Sequence, residues 1–250
     1  MHRGRDRNAG RSAPDEHRSE GEIPLHESRP EPSRAVAAPA GGPTIAEVYR
    51  GPFATEGRGL TPRMREEIAA LGKRYGQPLV REVALDDVAF DPVGAPDRIA
   101  EVCMVVRRPS GKLLLAIKDF YPRGAFRLPT GGIHHGEPIL DAVRREAIEE
   151  TGLTLEVARF LAALTYRNGP TGPPAFHTFA FLLDERGGTL GAQDPAERIE
   201  RWIEIEPSAL PAVASTLDAI SDDATAEIPN WSAWGRFRAH VHRVVAEALA

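Results

Sequence analysis

A glycine-rich loop runs directly into an acidic helix near the middle of this 250-residue chain. The loop occupies residues 128–137 (LPTGGIHHGE), and helical spacing continues from it to about Thr151, where Gly152 supplies a stop signal. The helix also has an apolar stripe, made of Leu140, Val143 and Ala147. The segment therefore predicts a helix that packs on a sheet and begins at a loop of small residues.

Three glutamates share one side of this helix. Glu146, Glu149 and Glu150 stand at i, i+3 and i+4, within about one third of the helix circumference. Like charges at this spacing weaken an isolated helix by a few tenths of a kcal/mol per pair, so they call for a counter-charge. Arg144 and Arg145 are close to the glutamates in the sequence, but a divalent cation such as Mg²⁺ neutralises three carboxylates better.

The alternative is a solvated acidic face, the ordinary interpretation of an isolated EAIEE sequence. The preceding loop favours the metal, because glycine has no Cβ and lets the backbone approach a bound ion or phosphate.

Helices and strands are mixed along the rest of the chain. Thr61 and Pro62 are typical of a helix start, and Gly76 can end that helix. Strands are predicted at 79–90, 99–107, 112–120, 153–166, 174–184 and 198–205, with a turn at 108–111 that makes the second and third a hairpin. Since strands and helices do not alternate strictly, we expect an α+β or mixed α/β fold.

The two ends of the chain differ in character. Residues 1–40 contain seven Arg, seven Asp or Glu, five Pro and no aromatic residue, which predicts a disordered tail over 1–42. A basic arm for nucleic acid is the alternative, although its charges balance. A helix is expected at 207–220 and another after a cap at Asn230, with an apolar stripe typical of core or of a dimer contact, made of Trp231, Trp234, Phe237, Val241, Val244 and Val245.

Composition excludes several classes of protein. A net charge of −5 argues against a generic nucleic-acid binder, and the single cysteine, Cys103, excludes an intramolecular disulfide and a cysteine-rich zinc site. The sequence has neither an apolar run of about 18–20 residues nor a secretory signal, so we expect a cytoplasmic protein without a membrane span.

Residues 131–153 resemble the Nudix box, G-x5-E-x7-R-E-U-x-E-E-x-G-U, where U is a bulky aliphatic residue. Gly131 is followed by five residues and Glu137, and seven more lead to the run 145–153 (REAIEETGL), which matches at every fixed position. The one departure is Ala147 at the first aliphatic position, a smaller but still apolar residue. The similarity is specific within the box and extends more loosely over 99–206.

The resemblance implies an α/β/α sandwich with a mixed sheet that hydrolyses a nucleoside diphosphate linked to another group. It implies Mg²⁺, with Mn²⁺ as an alternative, held by Glu146 and Glu150 and approached by the backbone at Gly131. On this interpretation the chain divides into a tail (1–42), a helix and strand extension (43–98), the hydrolase domain (99–206) and C-terminal helices (207–250).

The other positions of the box imply supporting roles. Glu149 falls where the family ligates metal or assists the attacking water, and Arg145 and Glu137 fall where it orients the glutamates through charge-assisted hydrogen bonds. A bound cation would neutralise the diphosphate and activate a water for attack.

Charged residues outside the box are further candidates. Lys118, Arg123 and Arg127 precede the loop and suit the phosphates or the second half of the substrate, with ordinary surface charge as the alternative. Glu197 and Glu200 follow the box, in a region where related enzymes place a base or an extra ligand, although surface acids are the plainer interpretation.

The remaining reactive side chains are interpreted as structural. His134 and His135 are expected to be exposed in the loop, whereas His177 and Cys103 lie in apolar strands and are expected in the core.

Three functions stay open at this point. The first is a pyrophosphohydrolase acting on a nucleoside diphosphate derivative, with ADP-ribose or a nucleotide sugar suggested by the extra strand at 79–90 and by Pro170. The second is a Nudix-fold domain that binds a nucleotide without cleaving it, and the third is isomerase chemistry on a prenyl diphosphate. No stable nucleic-acid partner is expected, and a homodimer stays open.

Overall fold

The computed structural model of the protein describes residues 59–86, 88, 92–93, 98–224 and 230–250. The predicted disordered tail lies outside these residues. The described helices include none with the length and apolar character needed to span a membrane.

A seven-stranded mixed sheet forms the centre of the described structure. Its strands are β1 (Leu79–Leu85), β2 (Ala100–Arg107), β3 (Leu113–Lys118), β4 (Thr130–Gly132), β5 (Leu153–Asn168), β6 (Pro174–Gly188) and β7 (Ile199–Ile205). The order is β1-β5-β6-β2-β3-β7, and β4 pairs with β2. β1 is parallel to β5 and β2 is parallel to β6, while the other pairs are antiparallel. The mixed sheet predicted from the sequence is confirmed.

Helices cover both faces of this sheet. They are α1 (Pro62–Tyr75), α2 (Ile139–Thr151), α3 (Leu210–Asp218) and α4 (Trp231–Leu249). Val102, Met104 and Val106 of β2 share one core cluster with α1 and α2, whereas Cys103 and Val105 belong to a second cluster with α3 and α4. Alternate side chains of one strand thus enter two apolar layers, as expected for a strand buried on both faces. The α/β/α sandwich is confirmed.

The segment before the acidic helix is inserted into the sheet between β2 and β3. The expected hairpin of these strands pairs only at its turn, where Arg107 lies opposite Leu113. Beyond the turn the strands separate, and the segment 127–132 pairs with both. Ala116 of β3 exchanges two backbone hydrogen bonds with Arg127, and β4 pairs with β2. The sheet itself therefore fixes the backbone of the glycine-rich loop.

Helix ends agree with the sequence at Thr61, Gly76 and Gly152 and differ at Asn230. Thr61 caps α1 by accepting a hydrogen bond from the Met64 N–H at 3.2 Å, and Gly152 ends α2 in the left-handed conformation at φ 65°. The expected side-chain cap at Asn230 is wrong, because Asn230 has φ 65° and its side chain makes no capping hydrogen bond to the described part of α4. Asp222 accepts instead from the Ser232 N–H at 2.8 Å, so a residue upstream caps α4.

We predict that Gly235→Ala destabilises the packing of α4 on α3. A Cβ at Gly235 would overlap the Leu217 carbonyl oxygen. The overlap should lower the free energy of unfolding by about 1–3 kcal/mol, although alanine is the better helix former by about 1 kcal/mol. The measurement is urea unfolding, with the exposed neighbour Arg236→Ala as control, expected to change stability by less than about 0.5 kcal/mol. Stability equal to or above wild type in Gly235→Ala would contradict the close approach.

Candidate functional site

Arg145 lies at the centre of the acidic cluster and donates to four separate groups. Its Nε and Nη2 form a two-point contact with the Glu137 carboxylate at 2.8 and 2.9 Å. Its Nη1 donates to Glu146 at 2.7 Å and to Glu149 at 3.0 Å, and Nη2 also reaches the Gly132 carbonyl oxygen at 2.9 Å. A guanidinium has five N–H groups in a planar fork, so it can hold these acceptors at once. Arg145 thereby ties the helix to the loop at two positions, Gly132 and Glu137.

The loop glycine at 131 leaves room for a glutamate side chain. A Cβ built on Gly131 would overlap the carboxylate of Glu146, which is 6% exposed. Backbone and carboxylate can therefore meet only because residue 131 has no side chain. This contact gives the physical reason for a glycine at the start of the box.

Glu146 and Glu150 of α2 meet a third carboxylate that comes from a distant segment. Glu197 lies in a short 3-10 helix, Pro195–Glu197, that precedes β7. One carboxylate oxygen from each of the three glutamates lies within 4.8 Å of the others. From the sequence, Glu197 was a candidate, but a surface acid was the favoured interpretation. The spacing of Glu197 from the box does not indicate a contact with Glu146 and Glu150. Glu200, its companion in that prediction, is exposed.

The three carboxylates titrate differently because their surroundings differ. Burial raises the pKa of Glu150 to about 8 and also raises the pKa of Glu146. Burial opposes ionisation at Glu197 as well, but the hydrogen bond from the Lys118 ammonium at 2.8 Å holds the pKa of Glu197 below its usual range. Two positive charges, Arg127 first and Lys118 second, lower the pKa of Glu150 against its burial.

These residues fit a divalent cation on three observations. Among the described residues, the buried Oε2 atom of Glu150 has no hydrogen-bond partner, which is costly for a carboxylate oxygen. The donor set consists of carboxylate oxygens, the ligands that Mg²⁺ and Mn²⁺ prefer. The close approach at Gly131 keeps backbone beside one of these carboxylates, that of Glu146.

The other predicted site residues occupy three different settings. Glu149 is the most open of the box glutamates, with 41% of its side chain exposed. Arg127 is only 4% exposed and donates to Tyr121, Leu128 and Thr130, so it lies beneath the site.

Lys118 and Arg123 lie apart from each other. Lys118 contacts the carboxylate cluster, whereas Arg123 is exposed and lines a shallow cavity of about 660 Å³ against the end of α3. The structure thus brings Lys118, but not Arg123, into contact with the glutamates.

The structural interpretations of the remaining side chains are confirmed. His134 and His135 are exposed, and Cys103 is fully buried. His177 is 2% exposed and its Nδ1 lies 3.1 Å from the Thr165 hydroxyl. The apolar stripe of the last helix is core, since Trp231, Trp234 and Phe237 are at most 4% exposed.

Sequence reasoning missed three buried polar residues: Glu101, Arg238 and His242. The signal was present, because each interrupts an apolar strand or an apolar helix stripe. A charged residue in such a place is rarely buried without a partner.

We predict that Glu150→Gln removes a pH dependence from the stability of the metal-free protein. The pKa of Glu150 is raised to about 8 in the folded chain, so between its ordinary value and pH 8 the folded state retains a proton that the unfolded state releases. Wild-type stability should therefore fall as pH rises through this window, and the variant should gain at least about 1 kcal/mol on wild type by pH 8. Urea unfolding in a chelator from pH 5 to 8 measures this, with the exposed Glu66→Gln as control. Parallel profiles for wild type and Glu150→Gln would contradict the burial of this carboxylate.

Comparison with known proteins identifies the family of this chain. Residues 97–223, about half of the chain, match the NUDIX domain family. An ADP-ribose pyrophosphatase from Methanocaldococcus jannaschii is 34% identical over 134 residues, covering 52% of this chain and 73% of the relative. A NAD-capped RNA hydrolase from Vibrio atlanticus is 30% identical over 117 residues, covering 47% of this chain but only 41% of the relative.

Among solved structures, a C. elegans Ap4A hydrolase has a TM-score of 0.36 and 18% identity, covering 46% of this chain and 86% of its own. The family match and the archaeal relative establish the family. The chain belongs to the NUDIX domain family and is a Nudix hydrolase, a pyrophosphohydrolase of nucleoside diphosphate derivatives.

Proposed function

We propose that the chain is a Mg²⁺-dependent pyrophosphohydrolase, with Mn²⁺ as an alternative metal, and that Glu146, Glu150 and Glu197 hold the cation. Two features of the cluster carry this proposal: one oxygen from each of the three carboxylates lies within 4.8 Å of the others, and the buried Oε2 of Glu150 has no hydrogen-bond partner among the described residues. A surface cluster of acids would turn its oxygens to water, whereas Glu146 and Glu150 are almost wholly buried.

A cation at this position would supply charge neutralisation for the diphosphate and a water of lowered pKa for attack. The chain's own residues hold the groups around it. Arg145 fixes Glu146 from one side through its 2.7 Å hydrogen bond, and the backbone at Gly131 bounds the carboxylate from the other. Glu137 receives two of the five N–H groups of Arg145, so it orients the arginine and, through it, the glutamates.

Glu149 is the residue we propose as the acceptor of the proton from the attacking water. Its side chain is the most exposed of the box glutamates, so water can reach it while Arg145 keeps it oriented at 3.0 Å. A metal-ligand role for Glu149 stays the alternative, because it shares Arg145 with Glu146.

Lys118 is the basic residue we propose for substrate phosphates, since it lies 2.8 Å from Glu197 at the carboxylate cluster. Arg127 is proposed instead as a fixed positive charge beneath Glu150, because its burial keeps it from a ligand in solvent. Arg123 remains a candidate for the outer part of a substrate only.

For the substrate we propose ADP-ribose or a nucleotide sugar. The archaeal relative is named an ADP-ribose pyrophosphatase, and its match covers 73% of that protein. The strand suggested as an N-terminal extension is present as β1, paired parallel to β5. A second candidate is the pyrophosphate of a NAD-capped RNA, favoured by the name of the Vibrio relative alone.

The non-catalytic alternative is separated by product analysis. ADP-ribose, a nucleotide sugar, NAD and NAD-capped RNA are each incubated with the full chain and Mg²⁺, and the products are identified. Cleavage at the pyrophosphate bond is the expected result. Nucleotide binding without products from any of the four would favour a regulatory domain.

We predict that Glu146→Gln and Glu150→Gln each lower turnover by about 100-fold or more, by removing charge from the metal site. Turnover in wild type should stop in excess chelator and return with Mg²⁺ or Mn²⁺. Mg²⁺ should also raise the melting temperature of wild type more than that of either variant.

Glu66→Gln on α1, which removes the same charge from an exposed position, is the matched control and should behave as wild type. Wild-type turnover in Glu150→Gln, or undiminished turnover in excess chelator, would refute the proposed metal site.

We predict that Arg145→Lys lowers turnover by about 10- to 100-fold, although the charge is kept. A lysine ammonium cannot span the four groups that the guanidinium joins, so Glu146 and Glu149 lose their common orientation. Arg144→Lys is the matched control, because Arg144 is exposed and contacts only Asp141 among the described ion pairs. Equal turnover in the two variants would mean that charge alone, without the fork geometry, supports the site.

A further inference from the structure

The last helix lies outside the residues matched by the family, yet it contacts the segment that carries the site. α4 (Trp231–Leu249) follows the matched residues 97–223. Two of its polar side chains face inward, Arg238 with 5% and His242 with 0% exposure. Burying polar groups costs free energy unless they are paired, so their partners identify what the helix holds.

His242 holds the backbone at Leu128, the first residue of the glycine-rich loop. Its Nδ1 lies 2.7 Å from the Arg238 carbonyl oxygen, which can only accept, so Nδ1 carries the hydrogen. Nε2 is therefore the acceptor, and the Leu128 N–H donates to it at 3.0 Å. Burial lowers the pKa of His242 to about 4, which keeps the ring neutral at neutral pH.

Arg238 holds the strand on which the loop is paired. Its Nη1 donates to both carboxylate oxygens of Glu101 in β2, at 2.8 and 2.9 Å, and the Thr178 hydroxyl donates to the same carboxylate at 2.9 Å. Glu101 lies directly opposite Gly132 in the pairing of β2 with β4. One turn of α4 thus fixes the loop segment directly and through its partner strand.

We propose that His242 is a positioning residue for the metal site, acting with Arg238 through the backbone of 128–132. Leu128 is three residues from Gly131, whose backbone bounds the Glu146 carboxylate. Displacement of Leu128 therefore shifts the Gly131 backbone that packs against the Glu146 carboxylate. The affinity of the site for the cation then falls. This inference rests on the proposed metal site.

The test uses three variants of the full chain, and its readout is the Mg²⁺ concentration that gives half of the maximal rise in melting temperature. His242→Leu leaves the Leu128 N–H without an acceptor, and should raise this concentration by about 10-fold. His242→Gln can place an amide oxygen near the position of Nε2, and should return it to within about twofold of wild type. His240→Gln, on the same helix but outside this contact, is the matched control and should leave the value unchanged.

The outcomes separate this inference from the proposed function. A wild type that Mg²⁺ does not stabilise overturns the metal site itself. If Mg²⁺ stabilises the wild type and the half-maximal Mg²⁺ concentration of His242→Leu equals that of the wild type, only the positioning role is overturned. The positioning role is also overturned if His242→Gln needs as high a Mg²⁺ concentration as His242→Leu.

Hydrogen exchange in the wild type gives a measurement that stands if His242→Leu fails to fold. Peptides covering 126–133 and 238–245 should gain protection together when Mg²⁺ is added, because one hydrogen bond joins them. Protection confined to the first peptide overturns the proposal.

Discussion

The rest of the site depends on the hydrogen bonds that the Arg145 guanidinium donates. Its planar group binds the carboxylates of Glu137, Glu146 and Glu149 and the carbonyl oxygen of Gly132. Three carboxylates so close together would repel one another, and the repulsion would push the loop away from the helix. The positive charge of the guanidinium offsets this repulsion, and its five N–H donors fix the positions of the acceptors. A point charge of the same sign would offset the repulsion without fixing those positions.

The second constraint is the insertion of 127–132 between β2 and β3. A loop that carries functional groups is usually among the more mobile parts of a fold. Here residues 130–132 of the loop are hydrogen-bonded as a strand to β2, and the preceding Arg127 is hydrogen-bonded to β3, so this part of the loop belongs to the sheet. The C-terminal helix adds a third attachment at Leu128. Rigid placement of backbone beside carboxylates is what a site for a small, hard cation requires.

The charged residues of the site range from fully buried to solvent-exposed. Arg127 is buried below Glu150, Lys118 lies against Glu197, and Glu149 is turned toward solvent. The buried carboxylates have raised pKa values while Glu197 has a lowered one, although the three lie within 4.8 Å. Neighbouring carboxylates whose pKa values are shifted in opposite directions are typical of functional sites, because the carboxylates of a solvated cluster would have nearly ordinary pKa values.

Local sequence determined the parts of this protein that depend on local chemistry. Thr61, Gly76 and Gly152 mark helix ends through side-chain capping or positive φ, and the i, i+3, i+4 spacing places the glutamates on one face. The resemblance to the box implied that Arg145 and Glu137 both orient the glutamates, and the structure shows that these two residues, only eight apart, also contact each other.

Only the tertiary structure decided which distant residues contact the candidate site. Glu197 reaches Glu150 because β7 pairs with β3, and His242 reaches Leu128 because α4 packs on the opposite layer of the sheet. Asp222, ten residues before Ser232, caps α4 where the sequence predicted Asn230. Contacts across such separations depend on the packing of whole elements, and periodicity along the chain records which face of an element is buried but not which partner it meets.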